Sequence, residues 1–486
     1  MSKVSVKKNY ILNTTYQVFT LLVPLITTPY VSRVLEPDGI GINSFVAAIA
    51  GYFCLVAALG IQTYGQREIS YLQDDRKKRT RIFWEIESLA IISTVLITII
   101  YFIFICFQSS YRAIFILYGI QIITVMFDIT WLYIGMEDFS APVKRSFFVK
   151  ILSIIGIFIF VNNKEDLWKY VLVYLGLGLL GNILMCISMK KYVDIDIHFY
   201  NPKIHFKSVI GLFVPTIAVQ VYLSMDKIML GYLNTDSFQN GYYEQAQKLI
   251  RLILTVVTSL SSVMVPRIGY FFTNKKIEEM NKLIYKSFNF VLLIGWPCCL
   301  GIIVAINNII PWFFGGGYDA VSDISMLLAP QIIFIGMSNI TAYQCLIPRK
   351  LERIFTITVV IGAFINFIGN IIMIPIYGAR GAAFTSTITE LIVLISELIY
   401  LRNDIHIYKI LKMSINYILS SVIMYIILCL FVNIIPTSIV GTMILVCFGG
   451  GIYCCCLLIA RDKFFYNTIW VAIKSIYKKM FCKKNI

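Results

Sequence analysis

The sequence predicts an all-α integral membrane protein with about fourteen transmembrane helices and both termini cytoplasmic. Three observations predict it. First, the chain is 58% hydrophobic and only 14% charged, with a mean hydropathy of +0.79. A water-facing surface needs more polar side chains than that, so the natural solvent is a bilayer. Second, apolar runs long enough to cross a hydrocarbon core, roughly 20 residues each, recur along the whole chain. Third, basic residues fall on alternate loops. With the N-terminus inside, and basic residues at span ends counted with the adjoining loops, 33 of the 42 Lys and Arg lie in cytoplasmic segments, five in outer loops and four within spans. One missed or invented span would invert every later loop and erase this asymmetry.

The first run, 10–31, follows the basic start MSKVSVKKNY. It has no small-residue cleavage site, and Asn13, Gln17, Thr27 and Thr28 interrupt it. It reads as an uncleaved first span, not a signal peptide. TTPYVSRVLEPDGIGINSF, residues 27–45, then forms an outer hairpin. Pro37 and Gly39 make the turn, Arg33 snorkels at the interface, and Glu36 and Asp38 are placed to pair with it or to cap the next helix. Spans follow at 40–64, 83–107, 112–136, 142–161 and 168–189. Six more run over 208–232, 242–268, 284–310, 323–346, 354–376 and 380–401. Two added spans cover 412–433 and 438–460. Within a bilayer the backbone must satisfy its own polar groups, so these are helices.

The predicted organisation is a six-helix lobe over 1–207, a second over 208–411, two further helices over 412–460, and a basic amphipathic tail over 461–486 that lies on anionic lipid. The net charge of +16 is then a matter of topology, not of nucleic-acid binding. DDRKKRTR at 74–81 reads as a cytoplasmic loop. So do the segments holding His198, His205 and His406, each read as an ordinary surface residue. Twelve cysteines show no metal or disulfide spacing and act as small hydrophobes. No P-loop, HExxH or GxSxG pattern occurs, and the outer loops are short. A catalytic role, a metal and a cofactor are therefore not expected.

The chain repeats itself. LLVPLITT around Pro24 matches GLFVPTIA around Pro215, Gly41 matches Gly241, Arg67 matches Arg267, and Gln121 matches Gln331. The offsets stay near 200 and keep their order. Six spans per repeat is an even number, so both repeats enter the membrane in the same direction, as in parallel-repeat transporters. Pro24 and Pro215 remove a backbone hydrogen bond inside the first helix of each repeat. They are read equally as hinges or as static kinks.

Charges inside spans are costly and point to function or to pairing. Asp226 and Lys227 lie in the seventh span. Glu244, Lys248 and Arg251 share one face of the eighth. Lys227, Lys248 and Arg251 are candidates for binding an anionic substrate, with Arg251 favoured. The alternative is a structural network among Asp226, Lys227, Glu244 and Lys248. Asp128 and Glu390 have no same-helix cation nearby, so each is a candidate for proton or sodium coupling or a neutral hydrogen-bonded acid. Asn13, Gln17 and Gln220 are candidate sugar contacts, and Arg33 a candidate substrate contact.

In this order and topology, TTPYVSRVLEPDGIGINSF, YGQREISYL, SMDKIMLGYL and NGYYEQAQKL resemble the polysaccharide flippases of the multidrug/oligosaccharidyl-lipid/polysaccharide exporter superfamily. The resemblance covers essentially the whole chain. It implies a non-enzymatic carrier that flips undecaprenyl-diphosphate-linked oligosaccharide repeat units from the inner to the outer leaflet of a bacterial cytoplasmic membrane by alternating access, serving O-antigen, capsule or similar polymers. It also implies work alongside a polysaccharide polymerase and a chain-length regulator. The rivals are a multidrug antiporter of the same superfamily and, from a different class, a membrane polysaccharide polymerase.

Overall fold

A computed structural model describes residues 6–195, 201–234 and 236–470. No strand occurs among them. The chain divides into two compact units after Glu244.

The first helix, α1, is Val6–Ala58. Its one residue outside helical geometry is Glu36, at φ 56° and ψ 174°. Glu36 precedes Pro37, whose ring excludes the helical region for the residue before it. The turn predicted between the first two spans therefore sits here, while Pro24 lies within helical backbone. Gly60, at φ 77°, opens α2, Ile61–Ser70. α3 spans Arg76–Cys106. Its first turn is basic, unfavourable against the positive end of the helix dipole, and the Asp75 side chain caps it by accepting from the Lys78 amide.

The basic segment expected as a loop is therefore partly helix and partly stitching. Buried Arg79 donates to the carbonyls of Tyr192, Leu72 and Gln73, and Arg76 pairs with Asp194. α4, Arg112–Val125, and α5, Thr130–Gly135, are separated by a break at which the Asp128 carboxylate accepts from Thr130. α6 is Ser140–Phe160 and α7 is Leu167–Ser188. α8 is Lys203–Leu233, and α9, Ser237–Thr273, starts in the first unit and ends in the second.

Two hydrophobic clusters hold the first unit. Leu35, Val46, Tyr101, Phe115 and Val161 join α1, α3 and α4 to the end of α6. Ile69, Phe83, Trp131, Leu132 and Val209 join α2, α3, α5 and α8. Outward faces are apolar as well: Ile92, Val95, Leu96, Ile99 and Ile103 of α3 are all exposed. A helix apolar on both faces belongs in lipid.

Within the second cluster the structure corrects the reading of His205. It is buried, as are Tyr64 and Glu85. Its Nε2 lies 2.9 Å from Glu85 Oε2, and its Nδ1 lies 2.7 Å from the Tyr64 hydroxyl. A neutral ring satisfies the whole chain, with Nε2–H donating to the carboxylate and Nδ1 accepting from tyrosine. Sequence spacing gave no sign of this, because the partners lie 120 and 141 residues away. His205→Ala strands a buried carboxylate oxygen and a buried hydroxyl. It is expected to destabilise the protein by about 1–3 kcal/mol per stranded group, read as a lower thermal midpoint in detergent, with Tyr64→Phe costing less. His198 lies outside the described residues.

In the second unit, α10 is Ile277–Phe313, α11 Ala320–Leu328 and α12 Gln331–Ile340. A π-helical turn over Thr341–Leu346 follows. α13 is Glu352–Tyr377, α14 Ala379–Tyr400, α15 Ile407–Phe431 and α16 Ile439–Ile459. α10 packs on α12, α15 and α16, and α13 on α14. The Trp296 indole donates to Ser414 at 3.0 Å, and the Tyr453 hydroxyl to the Leu293 carbonyl at 2.8 Å.

Among the described residues, eleven stretches are long and apolar enough to cross a membrane. They take Leu22–Ser70 as one stretch across the Glu36 turn, and they include neither α6 nor α8. Fourteen spans with both ends inside is the topology we propose.

Candidate functional site

Three intramembrane charges of the first unit, Asp226, Lys227 and Glu244, come together where α1, α8 and α9 meet. Lys227 of α8 forms an ion pair with Glu244 of α9, the two side chains being 14% and 17% exposed. The same Glu244 oxygen accepts from Ser44 Oγ of α1 at 3.1 Å. The neighbouring Asp226 is buried and accepts from the Tyr243 hydroxyl. Asn240 is buried too, and its amide donates to the Lys227 carbonyl at 2.9 Å. Tyr118 donates to Asn43 at 2.8 Å, and Tyr118 and Tyr170 lie within electrostatic reach of Glu244. The result is a polar knot of one cation, two carboxylates, two amides and several hydroxyls inside an apolar helical body. In low dielectric such groups persist only when paired and hydrogen-bonded.

The site is built by local sequence. Gly41 and Gly241 let α1 and α9 touch at backbone distance. A Cβ on Gly41 would run into the Ser237 carbonyl, and one on Gly241 into the Pro37 carbonyl. Ser237 also donates to the Asp38 carboxylate. The pairs are reciprocal. Pro37 and Ser237 are 200 apart, as are Gly41 and Gly241, and Ser44 bonds Glu244 across the same interval. Contacts of this form, residue i on j and its equivalent on i's, are those of a twofold axis. The offset of 200 noted in the sequence thus coincides with a physical crossing.

The other sequence-predicted residues fall elsewhere. Gln220 of α8 donates to Ser224 at 3.4 Å. On α9, Arg251 is exposed and donates to Gln247 at 3.3 Å, while Lys248 is half-buried. Arg33 is exposed on α1. Asn13 and Gln17 lie in the first turns of α1 and Pro215 in α8, with side chains outside the described ones. Asp128 bonds locally to Thr130. Glu390 of α14 is half-buried.

Sequence reasoning missed Glu397, one helical stretch beyond Glu390. It is fully buried and accepts from Ser338 at 2.7 Å and from Thr341, beside the π-helical turn. Its signal was present: two hydroxyl residues three apart, Ser338 near the end of α12 and Thr341 opening the π-helical turn, with an acid in a later apolar helix. Also missed was a buried polar seam between α13 and α14, where Asn370 donates to Asn366 at 3.2 Å and Asn366 to Ser386 at 3.3 Å.

Comparison with known proteins agrees with this architecture. The chain is 22% identical over 413 residues to an Escherichia coli K12 protein described as "Putative O-antigen transporter", covering 83% of this chain and 98% of that one. It is 23% identical over 263 residues to the capsular polysaccharide biosynthesis protein CapF of Staphylococcus aureus, covering 50% and 66%. Its fold matches the lipid II flippase MurJ in an inward closed conformation, with a TM-score of 0.76 at 18% identity over 94% of this chain and all of that one. It also matches an inward-facing multidrug resistance MATE family transporter, with a TM-score of 0.61 at 13% identity over 81% and 95%. The model of the polysaccharide biosynthesis protein family matches residues 6–272, more than half the chain. The chain is a multi-pass integral membrane protein and belongs to the polysaccharide biosynthesis protein family.

Proposed function

We propose that this protein is a flippase that carries undecaprenyl-diphosphate-linked oligosaccharide repeat units from the inner to the outer leaflet of the bacterial cytoplasmic membrane. The observation that carries the reading is the polar knot of Lys227, Asp226, Glu244 and Asn240 inside a body whose outer faces are apolar. A glycan headgroup offers many hydroxyls and an anionic diphosphate, and it crosses hydrocarbon only where a protein replaces its water. The family membership and the transporter descriptions of the relatives support the same reading. A non-enzymatic role follows from it.

The second unit supplies room for the lipid. An open cavity of about 360 Å³ is lined by Ile253, Pro297, Met424, Leu428, Leu445 and Gly449, from α9, α10, α15 and α16. Almost nothing polar lines it, which suits a polyprenyl tail. Transport is by alternating access, driven by a proton or sodium gradient, with the acids Asp128, Glu390 and Glu397 as carriers. A polysaccharide polymerase and a chain-length regulator act on the delivered unit.

Deleting the gene tests the function. The lipid-linked oligosaccharide should accumulate while surface polymer disappears. Normal surface polymer with no precursor build-up, in a strain without a second flippase, would overturn the reading and turn attention to drug export. Arg251 tests the anion-binding part. Arg251→Ala removes an exposed cation that donates to Gln247. It should abolish transport without loss of protein in the membrane; undiminished transport would remove Arg251 from the substrate path.

A further inference from the structure

The groove between α6 and α7 plays no part in the function proposed above. It is an open cavity of about 460 Å³ within the first unit. Its walls include Phe148, Leu152, Leu177, Leu180 and Leu184. The two helices meet at Gly181, where a Cβ would lie 2.6 Å from the Val149 side chain, so the groove has a closed floor. Lys144, Arg145 and Ser188 line the end where α6 begins and α7 finishes.

The cations at that mouth are not neutralised. Lys144 is exposed and makes no hydrogen bond or ion pair among the described residues. Arg145 donates to Asn182 and to Ser146, and among the described residues it forms no ion pair and its Nε has no acceptor. From Ser188 back to Leu177 is eleven residues, about 16 Å of helix. One leaflet of a hydrocarbon core about 30 Å thick is nearly that deep. The groove therefore has a cationic end at interface depth and an apolar channel reaching the midplane.

We propose that this groove is a binding site for an anionic glycerophospholipid. Its phosphate lies against Lys144 and Arg145, its polar headgroup reaches Ser188, and one acyl chain follows Phe148, Leu152, Leu180 and Leu184. Charge complementarity selects the anionic lipid: a zwitterionic headgroup brings no net charge to the two cations, and a free anion leaves the channel unfilled. Each cation near an anionic lipid surface is worth about a fivefold factor in affinity, so the pair gives a preference of about twenty- to thirtyfold.

The test uses the purified full chain in nanodiscs and a phosphatidylglycerol carrying a photoactivatable acyl chain, against a phosphatidylcholine with the same chain. The expected result is labelling within residues 148–184, with phosphatidylglycerol strongly preferred. Lys144→Gln, which breaks no bond among the described residues, should weaken that preference about fivefold. Leu184→Trp, which fills the channel, should abolish labelling there, and Lys412→Gln near the start of α15 should change nothing. Equal labelling by both lipids, or labelling indifferent to Leu184→Trp, would overturn the proposal. So would displacement of the probe by undecaprenyl diphosphate but not by unlabelled phosphatidylglycerol, which would make the groove a substrate path.

Discussion

Glu244→Ala is expected to abolish transport and to lower stability by about 3–5 kcal/mol, the cost of leaving one member of a buried ion pair alone. Lys227 would keep its ammonium in an apolar setting with its carboxylate gone, and Ser44 would lose its acceptor. That loss alone does not separate a structural pair from a substrate-handling one. A second variant does. Replacing both charges at once, Lys227→Met with Glu244→Leu, removes the stranded ion, and apolar replacements of buried pairs are often neutral or stabilising. The double variant should therefore recover its thermal midpoint in detergent while cells carrying it still lack surface polymer. If the double variant both melts normally and transports normally, the pair only joins α8 to α9, and the cationic part of the site must be sought at Lys248 and Arg251. Glu244→Gln belongs between these extremes, since it keeps an acceptor for Ser44 but no charge for Lys227.

These residues also show how far the sequence could be read. Membrane class and helix positions follow from composition and run length, which are local properties. The turn at Glu36 was legible for the same reason: the residue before a proline is kept out of the helical region, although Gly39, read as part of the turn, lies in helical backbone. Gathering Asp226, Lys227 and Glu244 as one group was legible from their placement in adjacent apolar spans, where charges need partners. Which partner each one takes was not. Lys227 takes Glu244, but Asp226 takes Tyr243, a hydroxyl that no charge count would single out. Asp38 was expected to serve its own hairpin, yet it accepts from Ser237, 199 residues later. His205 and Glu397 were misread or missed because burial is a property of packing between distant segments. A histidine near lysines in a polar stretch looks exposed until α2 and α3 are placed over it.

The reciprocal crossing of α1 and α9 yields the other large effect. Gly41→Ala and Gly241→Ala are each expected to cut transport about tenfold or more, equivalent to ~1.4 kcal/mol in the balance between conformations, with protein levels kept. The methyl added at Gly41 meets the Ser237 carbonyl, and that at Gly241 meets the Pro37 carbonyl. Backbone cannot step aside as a flexible side chain can, so the two helices must separate where Asp38 and Ser237 now join them. Alternating access requires a contact that forms in one state and opens in the other, and a crossing shared by two equivalent glycines suits that role. Because both substitutions wedge one crossing apart, the double variant should be little worse than either single one, as expected for sites that share a contact. Gly51→Ala is the control. A Cβ there meets nothing within 4 Å, and alanine is the better helix former, so transport should be unchanged and the midpoint equal or higher. Cysteine labelling at Ser44→Cys reports the opening itself, and should rise in the Gly41 and Gly241 variants but not in the Gly51 variant. If all three alanines transport alike, close approach at the crossing is dispensable, and the moving contact lies elsewhere along α1.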